Sequence, residues 1–363
     1  MENNMYDGQK LAEQIRWMEH GKARTDMIKD AIAQADKAGD NYWRMYMRFD
    51  YVSEQYFHGD PVKSIPVITE LENVFKEDPG AVERYEGDDL GKEAYVMAVI
   101  LGVDTISCLP QVTTEQWEHM LDNLYKLVKQ FGMAERSYYW QVFWRWMYTD
   151  FNKAEEYLKK AWDTEPDYRF DCESCEHAYA ARLYLEMGQK EKADKYFEKV
   201  DKGLLDEVCD DTYPQLWYPY LKYMLNNGDI KGAKPFARKL YRKHNEDQGD
   251  LEFMGAVLRY YAYANTTKGL SLFEKRLEWT IDMWNQKAKY YFYMGAWVLF
   301  RELSKKETDV SMKLPIKFEQ WREDGIYSTS GLADWFYTQA AGIAESFDKR
   351  NNSNYYTKNL EIA

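Results

Sequence analysis

Three thiols and one imidazole are the residues of this chain whose types and spacing could do chemistry. Cys172 and Cys175 stand in Cys-x-x-Cys spacing, His177 follows them, and Cys209 lies one helix pair downstream. Thiolates joined by an imidazole form a zinc-type ligand set. A lone Cys-x-x-Cys without a matching second pair is a weak metal signature, and Glu173 and Glu176 flank it. The plainer expectation is that Cys172, Cys175 and Cys209 are reduced packing residues at helix starts, with no metal and no cofactor.

A second constellation is cationic. Arg182, Lys222 and Arg259 each lie six residues before a helix break, at Gly188, Gly228 and Asn265. Equivalent positions in stacked helix pairs fall into a row, so these cations are expected along a concave wall about 10 Å apart. Tyr218 and Asn226, one turn to either side of Lys222, would add a ring and an amide. Three aligned cations on a chain of net charge −13 suit a partner that carries carboxylates. The stripe Lys231, Lys234, Arg238 and Arg242 reads instead as a solvated helix face. The aromatic run from Tyr138 to Trp146 is too dense for every ring to face a core. Tyr139 and Trp146 are therefore further candidates for a recognition surface.

These side chains must be positioned by helices. Around Cys175 a first helix carries Tyr179, Ala180, Leu183 and Tyr184 at helical spacing and breaks at Gly188; a second carries Ala193, Tyr196, Phe197 and Val200. The plan recurs with Trp217, Tyr220, Leu221 and Met224, a break at Asn227-Gly228-Asp229, then Ala233, Ala237 and Leu240. Other breaks fall at His58-Gly59-Asp60, Thr149-Asp150 and Asn265. Residues 6–38 read as a helix pair broken at His20-Gly21, and residues 90–132 as two helices around Leu109-Pro110. Beyond Lys306 an irregular stretch leads to a last helix, Leu332 to Lys349, expected to cap the core, and then to a loose polar tail at Asn351–Asn354.

The second helices carry a resemblance. Thr149, Ala154, Leu158, Ala161 and Pro166 place a break, a small residue, a large one, a small one and a proline as the second half of a tetratricopeptide repeat does. Gly188, Ala193, Phe197 and Val200 follow the same order. The chain thus resembles the tetratricopeptide superfamily over roughly residues 41–285. The likeness implies an all-α, right-handed solenoid of antiparallel helix pairs across residues 1–306, with residues 307–363 as an irregular segment, capping helix and tail. Its breaks lie 40 and 37 residues apart, so the units are longer than the usual period of about 34. The segment from Asp171 to Trp284 is also similar to a group of bacterial repeat proteins with a Cys-x-x-Cys, a later Cys and a Gly-Leu pair. That likeness carries no function.

Composition narrows the partners. A surface of net charge −13 repels phosphate backbones and anionic lipid, so neither nucleic acid nor a membrane is expected. No apolar run reaches the length of a membrane span; Ala94–Val103 and Tyr290–Phe300 suit buried helices. The N-terminus lacks the pattern of a secretory signal, and four Cys are too sparse for a disulfide framework, so a reducing cytoplasm is the expectation. No His-Glu-x-x-His, Gly-x-Ser-x-Gly or phosphate-binding glycine loop occurs, and the five His are scattered. The reading is a non-catalytic scaffold whose groove binds an acidic peptide or protein segment. Two alternatives stand beside it: a peptide-signal sensor without its own DNA-binding domain, and a helical toroid enzyme of the glycosidase kind, which would need an apposed carboxylate pair.

Overall fold

Amphipathic helices joined by short polar turns leave the chain few choices but helix on helix. The computed structural model describes residues 6–84, 90–166, 171–205, 208–243 and 246–363. The chain divides into two units, one of Met1–Ser107, Thr114–Gln141 and Ala161–Arg169, the other of Cys108–Thr113, Val142–Lys160 and Phe170–Ala363. Among the described residues no helix is long and apolar enough to cross a membrane.

The first unit holds α1 (Gly8–Arg16), α2 (Lys22–Ala38), α3 (Asn41–His58), α4 (Ser64–Glu77), α5 (Leu90–Ser107) and α6 (Thr114–Gln130). The break expected at His20-Gly21 falls between α1 and α2, and Pro61 opens a short 3-10 turn before α4. Helix α3 packs on α2, α4 and α5. Ile15, Ile28, Ala31, Met47 and Tyr51 form a core where α1, α2 and α3 meet. Helix α5 is buried from Tyr95 to Ile106 except at Met97 and Asp104, as its apolar run requires. Helix α7 (Arg136–Trp146) begins in this unit and passes into the other at Val142.

The second unit continues with α8 (Phe151–Trp162), whose part up to Lys160 belongs to it, then α9 (Glu173–Glu186), α10 (Lys190–Asp201), α11 (Thr212–Asn226) and α12 (Ile230–Lys243). Next come α13 (Leu251–Ala264), α14 (Thr266–Arg276) and α15 (Gln286–Ser304). Each hairpin closes on the residue its sequence marks. Gly188 and Gly228 take the left-handed conformation with φ of 73° and 69°, and Asn265 caps α14 by accepting from Lys268 N. First helices α9, α11 and α13 pack side by side, with α10, α12 and α14 each on their partner. Ala154, Ala161, Ala193, Ala233 and Ala237 are fully buried, as are Leu158 and Leu240. Helices α13 and α15 pass close to one another at two glycines: a Cβ on Gly295 would stand 2.1 Å from the Gly255 carbonyl oxygen.

Beyond α15 a two-stranded ladder, β1 (Asp309–Ser311) with β2 (Ile326–Ser328), pairs Val310 with Tyr327. The expected last helix is α16 (Thr329–Asn351), which packs along α15. The polar segment after it is not loose. Asn352 turns through the left-handed region at φ 50°, and a further helix, α17 (Tyr355–Glu361), returns onto α16. Asp348 holds that return: its carboxylate accepts from Tyr356 N (3.0 Å), Thr357 N (2.8 Å) and Thr357 Oγ1 (2.7 Å).

Candidate functional site

The three cations expected in a row are buried. Arg182, Lys222 and Arg259 sit on α9, α11 and α13 with only 5%, 6% and 3% of their surface exposed. An open wall was expected here; the wall is instead covered where α17 lies over it. A buried cation must be paired or its desolvation is uncompensated. Lys222 Nζ donates to Glu186 Oε1 at 2.7 Å and to Tyr355 Oη at 2.9 Å, and Tyr355 Oη donates to the same carboxylate at 3.0 Å. Burial pulls the Lys222 ammonium below its ordinary pKa, and Glu186 pulls it partly back. Arg259 donates to Asn226 Oδ1 at 2.6 Å and to the Ile362 carbonyl at 3.2 Å. Burial brings its pKa down to about 10, so it stays charged at neutral pH.

Arg182 is enclosed by rings. Its guanidinium lies 5.6 Å from the Trp144 ring centre, 5.8 Å from that of Tyr148 and 5.4 Å from that of Tyr218, within cation–π range. Its Nη2 donates to Tyr148 Oη at 3.3 Å and stands 3.5 Å from Glu252 Oε1. Tyr218 is 1% exposed, so it builds this interior and presents no ring to solvent.

Beside this row a cleft of about 430 Å³ opens. Leu185, Glu186 and Gly188 at the end of α9, and Pro219, Lys222, Tyr223, Asn226 and Asn227 on α11, form one side. Tyr355, Lys358, Asn359 and Ile362 form the other, with Phe151 at the edge. Its size falls within the range of about 300–1,000 Å³ typical of ligand pockets. The amides are half-used. Asn226 Oδ1 accepts from Arg259, which turns its NH₂ into the available donor; Asn359 Nδ2 donates to the Tyr355 carbonyl at 2.7 Å, which leaves its oxygen as the acceptor. Lys358 is exposed at the mouth, and Ile362 is 48% exposed. A peptide bond, with one donor and one acceptor, matches that pair of amides.

Of the sequence candidates, Lys222 and Asn226 line the cleft; Arg182, Arg259 and Tyr218 lie behind it. Tyr139 belongs to the first unit, half-buried, with its hydroxyl donating to Glu135. Trp146 belongs to the second, its ring under the Lys153 ammonium at 3.9 Å. The stripe Lys231, Lys234, Arg238 and Arg242 is exposed on α12. Sequence reading missed Glu186, Tyr355, Lys358 and Asn359. The available signal was Asn354, a residue type suited to start a helix, followed by apolar Tyr355, Tyr356 and Leu360.

The thiols do meet. The sulfur atoms of Cys172, Cys175 and Cys209 all lie within 4.8 Å of one another. Partial burial raises the Cys172 thiol, but hydrogen bonds from Ser174, the Cys175 backbone N–H and the two other thiols bring it down to about 7. Burial pushes the Cys175 thiol up. His177 is engaged elsewhere: Nδ1 donates to the Glu173 carbonyl at 2.9 Å, and Nε2 faces Lys199 Nζ at 3.3 Å.

No family model, curated protein or solved structure matches the chain.

Proposed function

We propose that this chain is a non-catalytic binding protein, a solenoid of tetratricopeptide type, and that its ligand is a short acidic segment of a peptide or protein. The observation that carries this reading is the cleft at the ends of α9, α11 and α17, with its complementary pair of amide groups. Asn226 and Asn359 would fix one peptide bond of an extended segment through one donated and one accepted hydrogen bond. Phe151, Leu185, Pro219 and Ile362 supply apolar contact, and Lys358 at the mouth selects a carboxylate. Lys222 and Arg259 act indirectly, by holding Tyr355 and the α17 backbone as one wall of the cleft. In this reading the row of cations is the support of the site and not its surface.

Hydrogen exchange tests the assignment. A bound acidic peptide should slow exchange at residues 185–188, 222–227 and 355–362. Protection confined to the α12 stripe or to the helix from Tyr139 to Trp146 would move the site there.

A further inference from the structure

We infer that Cys172, Cys175 and Cys209 form a three-thiolate site for a thiophilic d10 cation of the zinc class; among the described residues no fourth protein ligand joins them, which leaves the fourth position to an exogenous ligand. The site is built by the repeat itself. Cys172 is the cap residue of α9, Cys175 lies in its first turn, and Cys209 precedes α11, so adjacent first helices bring their starting residues together. The geometry is that of ligands. Zinc–sulfur bonds of about 2.3 Å separate the sulfurs of a tetrahedral site by about 3.8 Å. Here Cys175 Sγ and Cys209 Sγ are 3.4 Å apart, and all three sulfurs fit within 4.8 Å.

Hydroxyls support the sulfurs from behind, as partners of metal thiolates do. Ser174 Oγ lies 3.0 Å from Cys172 Sγ; Thr212 Oγ1 lies 3.3 Å from both Cys175 Sγ and Cys209 Sγ. The two hydroxyls are 2.6 Å apart, so one donates to the other, which keeps its own proton for a sulfur. His177 is not a ligand, since both its nitrogens face other groups. Cys175 is buried, whereas Cys172 and Cys209 are partly exposed, so the open position faces the solvent side. Three protein ligands with one exchangeable position distinguish such a site from a closed structural one.

Full-length protein, purified and kept reduced, should bind one Zn²⁺ per chain in competition with a chromophoric chelator. Co²⁺ in its place should give the intense thiolate-to-metal band and the visible bands of a tetrahedral sulfur site. Cys172→Ser and Cys209→Ser should each weaken zinc at least tenfold while circular dichroism stays that of the parent. His177→Ala should bind as the parent does. Failure of the reduced protein to bind Zn²⁺ stoichiometrically overturns the inference. So does zinc binding that survives both serine substitutions, or that needs His177.

Discussion

Lys222 Nζ donates to Tyr355 Oη at 2.9 Å, joining α11 to a helix 133 residues further along the chain. The contact sits inside a triangle with Glu186 and makes α17 part of the wall that the first helices build. Tyr355→Phe removes one hydrogen bond from the buried Lys222 ammonium and one from the partly buried Glu186 carboxylate and should cost about 1–2 kcal/mol in denaturant unfolding. Lys222→Met leaves the Glu186 carboxylate without its cation and should cost more, about 3–5 kcal/mol. Equal stabilities for the two variants would count against the triangle.

The return of α17 depends on Asp348. Asp348→Ala removes acceptors from the Tyr356 and Thr357 amides and should cost about 2 kcal/mol. Amide exchange across residues 355–361 should quicken more than that of α9 or α11. Unchanged exchange in α17 would mean that it is held without this cap.

Ala193, with no exposed surface, lies on α10, which packs on α9, and its small side chain is expected at that interface. Ala193→Trp should therefore overpack α9 against α10 and lower stability by about 1–3 kcal/mol or more, read from the melting temperature. A variant as stable as the parent would contradict the helix register drawn here.

Asp50 gives the first unit a pH signature. Burial pushes its carboxyl up to about 6, Glu54 adds to the rise, and Arg24 and Arg16 oppose it. The folded state then holds this proton more tightly than the unfolded chain. Its contribution is full below about pH 4 and is lost as pH rises through about 6. Asp50→Asn should gain about 1 kcal/mol at pH 7.5, after allowance for partial solvent screening, and nothing at pH 4. A gain of the same size at both values would exclude this titration.

Much of this was legible in the residues, for reasons that are local. Gly188 and Gly228 mark turns because the left-handed conformation favours glycine, and alternating small and large residues reveal which helix faces meet. The shared offset of Arg182, Lys222 and Arg259 from their helix breaks goes with one of them on each of α9, α11 and α13. Their covering is not local. For Lys222 and Arg259 it comes from α17, seven residues long and capped by the side chain of Asp348 in the preceding helix, and from Ile362 just beyond it; for Arg182 it comes from the rings of Trp144, Tyr148 and Tyr218. Repeat spacing could likewise bring Cys209 toward Cys175. It could not bring His177, because a step of two residues turns a helix by about 200° and points that ring away.

The most direct test of the central claim is affinity for peptides selected from a random library by the purified chain, measured by fluorescence anisotropy. Lys358→Glu and Ile362→Ala alter the cleft at exposed positions and should leave the fold intact. Selected peptides should pair an acidic residue with an apolar one, weaken as salt rises, and lose at least tenfold in affinity for Lys358→Glu. A library that yields no binder, or binders that hold both variants as tightly as the parent, would contradict a peptide site in this cleft.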